Sequence, residues 1–327
     1  ESDISVALLT DHLNTTKSKL AKQIGKRGVM EVLGDMQLLV GPPEQLCISN
    51  AALMMFCEHL DKFFPYTQVE ITKFPEGSIK NPNNFIEVPV IKGSVPTMIK
   101  RTMEKLQDMV IEEKVTKVDY QMEAIRRYSY PYQALEEAVV NAFYHRDYQS
   151  YQAIIIEIEP DCVRIISYPG IDRSISQKTI AEGERFKSRY YRNKRLGEFL
   201  KELDLTEGKS TGIPTIQEEL RDNGSPKATF ETDDERRAVT VEIPIHPDFL
   251  MEQGEPQNEP QNEPQNATSV EDAILQLIRM NKYVTREEMA SQIEVSLSTV
   301  KRSINKLKTS GIIEYEGPSK GGYWSIK

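Results

Sequence analysis

Near the start of the chain Leu8, Leu9, Leu13 and Leu20 recur on one face and predict a helical segment over residues 1–33. Apolar runs at Ala51–Cys57, Gln68–Phe74 and Phe85–Val90 then predict strands, punctuated by the turn Pro42-Pro43 and the loop Gly77 to Asn84. Met54, Met55 and Phe56 are expected inside the first of these strands. After Pro96 the spacing returns to three and four, with Met98, Met103, Leu106 and Val110 along one side of a long amphipathic helix, and another helix begins after Pro131. Ala153–Ile158 and Val163–Ser167 read as a hairpin turned at Pro160-Asp161, and Ala238–Ile245 as a last alternating strand. Helices and strands without a regular βαβ rhythm indicate an α+β body.

The pattern breaks at residues 253–268, where Glu-Pro-Gln-Asn occurs three times in succession. A proline at every fourth position blocks helix and sheet, and nothing apolar is available to bury, so the stretch reads as a solvated linker between a body at 34–252 and a tail at 269–327. In the tail, Val270 to Met280 is amphipathic, with Ile274, Leu277 and Ile278 inward. Thr285-Arg-Glu-Glu288 is a capping-box start for a second helix, and Ser296 precedes a third that buries Val300, Ile304 and Leu307. Gly311 stops that helix, and two short strands around Gly317-Pro318 and Gly321-Gly322 complete a winged helix-turn-helix layout.

Composition changes the picture in three places. At 327 residues the chain exceeds one ordinary core, and no apolar run approaches a membrane span, so a cytoplasmic protein is expected. Three cysteines without ligand spacing argue against a disulfide framework or a zinc site. The net charge of −9 hides an asymmetry: residues 269–327 sum to +2, which leaves −11 on the rest. Between Val295 and Ile313 there are Lys301, Arg302, Lys306 and Lys308 and no acid. Ser298 and Thr299, in the first turn of the third helix, suit base edges and phosphates, Arg302 suits a base, and Lys301, Lys306, Lys308 and the wing-tip Lys320 suit the backbone of double-stranded DNA. The alternative is a winged helix used for protein contact, with its basic residues merely solvated. The chain opens on Glu1 rather than Met and reads as a piece of a longer protein.

The body carries its chemistry in the helix after Pro131. Glu137 and Asn141 are four apart and share one face, beside an apolar stripe of Leu135, Ala138, Val139 and Ala142. An Asn amide oxygen can ligate Mg²⁺ bridging phosphates, and a nearby Glu can orient or deprotonate water, although a solvated helix face gives the same spacing. Between Arg185 and Arg195 six cations (Arg185, Lys187, Arg189, Arg192, Lys194 and Arg195) surround Tyr190 and Tyr191. That cluster suits a lid over phosphates, a patch on a nucleic-acid backbone, or a solvated helix flank.

The runs ALEEAVVNAFYHRDY, IISYPG and EGKSTGIPTI, with GDMQLLVGPPE and FFPYTQVEI, resemble bacterial ATP-binding transcriptional regulators, also described as RecG-like ATP-dependent DNA helicases. These carry a divergent GHKL-type ATPase domain, the type found in gyrase, histidine kinases and MutL, and often end in a winged helix. Their usual N-terminal AlbA-like, Schlafen-like domain has no counterpart in this chain. The resemblance implies a GHKL-like α/β sandwich over about residues 126–249, binding ATP and Mg²⁺. In it Glu137 is the general base and Asn141 the magnesium ligand, with Gly208, Thr211 and Gly212 in the phosphate loop. Gly170 falls at the family's Asp-x-Gly-x-Gly box, but Ser167-Tyr168-Pro169-Gly170 lacks the aspartate that reads the adenine amino group. Two activities follow as alternatives: a DNA-binding regulator, acting as a homodimer whose two tails meet two half-sites, or an ATPase coupled to nucleic-acid remodelling. A scaffold that has lost nucleotide binding is a third. No G-x-x-x-x-G-K-[ST] motif of a P-loop motor occurs.

Overall fold

In the computed structural model the described residues are 2–117, 124–182, 191–206, 212–250, 270–293, 295, 297–309, 312–316 and 322–326. They fall into two units, Glu1–Pro256 and Gln257–Lys327.

The N-terminal region of the first unit is helical but broken. Helix α1 (Val6–Thr15) is capped by the Ser5 hydroxyl, a single 3-10 turn covers Lys19–Lys22, and α2 (Val29–Asp35) follows. Lys17, at φ 52, sits in the left-handed region and ends the first helix, so the leucine pattern is not one continuous helix. A two-residue ladder of β1 (Leu39–Val40) and β2 (Cys47–Ile48) closes over the Pro42-Pro43 turn.

The next segment corrects the sequence reading. Residues predicted as the strand Ala51–Cys57 form α3 (Asn50–Phe56), N-capped by the Ser49 hydroxyl on the Ala52 N–H at 3.3 Å. Ala52 through Phe56 are all buried, so no polar face marked the helical period, while Ala, Leu and Met favour helix over strand. Helix α3 packs in one core with Leu9, Leu13, Val32 and Leu33 from the N-terminal helices and with the sheet.

That sheet has six strands, adding β3 (Val69–Lys73), β4 (Ile86–Glu87), β7 (Ile154–Ile158), β8 (Cys162–Ser167), β9 (Thr229–Thr232) and β10 (Val239–Pro244), in the order β4-β3-β7-β8-β10-β9. The intervening elements are α4 (Val95–Val110), the separate hairpin β5 (Glu113–Thr116) and β6 (Ile125–Tyr128), α5 (Tyr132–His145), α6 (Gln177–Ala181), α7 (Lys194–Glu202), α8 (Gly212–Asn223) and the short α9 (Pro247–Leu250). Only the β3–β7 pairing is parallel; the expected hairpin is β7–β8, in register Ile156↔Ile165. Alternation places Val69, Ile71, Ile154, Ile156, Ile165 and Ile243 in the core, with α5 packed against β8 and flanked by α4 and α8. On the opposite side Arg164 pairs with Glu157 at 3.0 Å and Glu242 at 3.1 Å across three neighbouring strands.

The second unit is the expected three helices and hairpin: α10 (Val270–Met280), α11 (Arg286–Ile293), α12 (Leu297–Thr309), β11 (Ile313–Glu316) and β12 (Tyr323–Ile326). Its core collects Ile274, Ile278, Val284, Met289, Val300, Ile304, Leu307, Ile313 and Trp324. The capping box closes in both directions: the Thr285 N–H donates to Glu288 Oε2 at 2.8 Å and the Glu288 N–H to the Thr285 hydroxyl at 3.2 Å. No helix among the described residues is long and apolar enough to cross a membrane.

Candidate nucleotide site and nucleic-acid interface

Pro131 opens α5 where its missing N–H costs nothing, and the helix then buries Ala134, Leu135, Ala138, Val139, Ala142 and Phe143. The Glu137–Asn141 side of the helix meets the first residue of α8. There the Asn141 amide donates Nδ2 to Glu137 Oε1 at 3.0 Å, and the backbone of Gly212 lies so near that a Cβ on it would stand 2.5 Å from both Asn141 Nδ2 and Glu137 Oε1. Three of the residues singled out in the sequence are therefore in contact. Gly208 and Thr211 lie outside the described residues.

Beside this junction is a cavity of about 170 Å³ between α5, α8 and the sheet. Ala138 and Ala142 line it from α5, Ile213 and Ile216 from α8, and Ile165, Phe230 and Val241 from the strands. Asn141, Gly170 and Gly212 are in its wall. The glycine at 170 has its own packing reason, because a Cβ there would overlap the Thr232 hydroxyl and meet the Ala238 carbonyl oxygen at 2.6 Å.

The basic cluster reaches the cavity through Tyr191, which stacks on Tyr144 with ring centroids 5.3 Å apart and lies 6.0 Å from the His145 ring. His145 is exposed on the cavity side; desolvation by the side chains packed about its ring, with Arg192 adding to it, pushes its pKa down to about 4. Since an unfolded His titrates near 6.5, protons favour the unfolded chain below that value, and the body should lose stability as pH falls from about 6.5 to 4. His12 and His246, also held low by burial, act in the same direction. Thermal melts between pH 7 and 5 should therefore drop less steeply in His145→Gln than in the wild type, and superimposable profiles would rule this out.

Arg192 also reaches the cavity wall, whereas Arg195 of the same basic cluster is structural: it donates to the Met36 carbonyl at 2.6 Å and lies over the Phe199 ring. Arg185, Lys187, Arg189 and Tyr190 are outside the described residues. Arg146, at the end of α5, is buried and donates to the Tyr66 carbonyl at 3.0 Å, tying the helix to the loop before β3.

For a magnesium ion, the donor set is one amide oxygen. With Asn141 Nδ2 spent on Glu137, Oδ1 is the atom that would face such an ion. No group of three or more His, Cys, Asp or Glu among the described residues could hold an ion unaided, so a Mg²⁺ here would complete its octahedron from phosphate oxygens and water. The residues fit a phosphate-borne ion.

In the second unit, α12 buries Val300, Ser303, Ile304 and Leu307, and exposes Lys301 and Lys308, two turns apart. Thr299 is half-buried in the first turn. Ser298, Arg302 and Lys306 lie on the same helix; Lys320 falls outside the described residues.

Residues 152–242, which include β7, β8, β9, most of β10 and most of the cavity lining, match the family described as "Putative ATP-dependent DNA helicase recG C-terminal". Residues 270–323 match an HTH domain. The resemblance to RecG-like ATPases with a terminal helix-turn-helix is borne out. The HTH match points to DNA binding by the tail, and the RecG C-terminal-like match to nucleotide binding by the body. Among solved structures, the DIP2311 protein of Corynebacterium diphtheriae is similar over 100% of this chain and 62% of its own, with a TM-score of 0.56 at 16% identity. That likeness is one of fold, and this chain spans less than two thirds of that protein. No curated protein matches the chain.

Proposed function

We propose that the protein is a nucleotide-responsive, DNA-binding transcriptional regulator. The observation that supports this most directly is the meeting of Glu137 and Asn141 with Gly212, the last of these within the RecG C-terminal-like region, beside a largely apolar cavity. In this reading Asn141 Oδ1 ligates the Mg²⁺ of ATP, and the backbone amides that begin α8, with Gly208 and Thr211 before them, approach the phosphates. A bound Mg²⁺ supplies charge neutralisation to those phosphates. Glu137 orients or deprotonates a water, and Gly170 lines the wall beside the base. In the tail, Ser298, Thr299 and Arg302 reach base edges from α12, while Lys301, Lys306, Lys308 and Lys320 neutralise phosphates. Nucleotide binding shifts the body between forms and so changes how the two tails of a homodimer meet half-sites.

The test is ligand-dependent stability of the whole chain. ATP with Mg²⁺ at about a hundred times its Kd should stabilise the body by about 2.7 kcal/mol, and Asn141→Ala should remove that stabilisation. A wild-type melt indifferent to ATP sinks the nucleotide half of the proposal. Duplex binding should weaken with salt at a log–log slope of about −3 to −4 for the four phosphates neutralised by each tail, and Arg302→Ala should lower the affinity at any one salt concentration. Salt-insensitive binding sinks the DNA half.

A further inference from the structure

One polar group in the cavity wall is left unused by the nucleotide reading. Ser167, the last residue of β8, is paired with Val239 of β10, and its side chain lines the cavity on the same side of the sheet as Ile165. It is 5% exposed, and none of the described residues hydrogen-bonds to its hydroxyl. The wall around it is apolar. Ala138 and Ala142, one turn apart on α5, line it together with Ile165, Val241 and Phe230, and small alanine methyls leave the volume of about 170 Å³ open. A cavity with largely apolar walls and a buried hydroxyl among them suits a planar heteroaromatic with a hydrogen-bonding edge.

Asp172, the carboxylate in the same wall, is already engaged. Its Oδ1 accepts the Ser174 N–H at 2.9 Å, and its side chain also takes the Ser174 hydroxyl, with Arg192 and Arg236 close enough to add their charge. Ser167 is therefore the group positioned to meet a base. An ionised aspartate, as at the Asp-x-Gly-x-Gly box, only accepts; it welcomes an exocyclic amino group and repels a ring carbonyl. A hydroxyl rotates to donate or accept.

Resting on the nucleotide reading above, we propose that Ser167 is the base-reading residue of the cavity and that the site consequently takes 6-oxo purine nucleotides as readily as 6-amino ones. ATP and inosine triphosphate differ at that edge, so their ratio of affinities isolates it. Calorimetric titration of the full chain in Mg²⁺ should give Kd values within about threefold of one another. Ser167→Asp should create an acceptor-only edge and favour ATP by about tenfold or more, since the 6-oxo oxygen then faces a carboxylate that cannot donate to it. Ser167→Ala should weaken both nucleotides by a similar factor of about three to ten and leave their ratio unchanged. Asp172→Asn should leave the ratio unchanged.

The outcomes separate the two claims. A wild-type preference for ATP above about tenfold overturns the assignment to Ser167 while the nucleotide site stands. A wild-type chain that binds neither nucleotide overturns both. A folded Ser167→Asp variant with an unaltered ratio, or a ratio that moves with Asp172→Asn instead, also overturns it. If Ser167→Asp fails to fold, Ser167→Ala decides alone: unchanged affinity for both nucleotides overturns the assignment.

Discussion

Gly212→Ala is expected to strip the body of nucleotide affinity while leaving its fold intact. The new Cβ would stand 2.5 Å from Asn141 Nδ2 and from Glu137 Oε1, too close for either to stay. Both atoms are the far ends of flexible side chains, so they swing away rather than prise α8 off α5. At the first residue of α8, alanine also gains up to about 1 kcal/mol of helix propensity over glycine, which offsets the crowding. The Asn141–Glu137 hydrogen bond, and with it the placement of the proposed magnesium ligand, is what is lost. ATP affinity should fall by about tenfold or more, with the melting temperature without ligand changed by a few degrees at most. An alanine variant that binds ATP as the wild type does would show that the junction has no part in the site.

The opposite behaviour is expected at Gly197, in the middle of α7. A Cβ at that position would overlap the Tyr144 ring at Cζ, Cε2 and the hydroxyl. Here the obstacle is a buried aromatic ring, stacked on Tyr191 and held by packing, and it has nowhere to go. Gly197→Ala should destabilise the body by about 1–3 kcal/mol, as overpacking does, read as a lower urea midpoint at unchanged m-value. The cause is testable by coupling. In a Tyr144→Ala background the same glycine substitution should be neutral or stabilising, because the overlap is gone and only helix propensity remains. Equal destabilisation in both backgrounds would exclude the ring as the reason.

These two glycines also show where the sequence was legible. That Glu137 and Asn141 share one helix face is legible in their spacing, and the tail in its capping box, 3–4 period and turn glycines, because each of those signals is local. The β7–β8 hairpin was equally plain, with alternating residues on both sides of Pro160-Asp161. Helix α3 has no helical signature in the sequence because Ala52–Phe56 is buried throughout, which erases the period that separates helix from strand. The cavity had no local signature. Its wall draws Ala142, Ser167, Tyr191, Ile216 and Phe230 from five separate stretches, joined only by the pairing of strands and the docking of α8 on α5. The parallel partnership of β3 with β7 joins residues some eighty positions apart, and no pattern within either strand announces it.

Trp324 gives the tail a private optical signal. It is the sole tryptophan of the chain. Its indole is 4% exposed and donates Nε1–H to the Val284 carbonyl at 3.0 Å, in the middle of the winged-helix core. Emission excited at the red edge of the absorption band, where tyrosine is dark, therefore reports on the tail and on nothing in the body. A melt followed by that emission reads the stability of residues 270–326 separately from the far-ultraviolet dichroism of the whole chain. Any change in the emission when a ligand enters the cavity would be a direct optical reading of communication from the body to the DNA-binding unit.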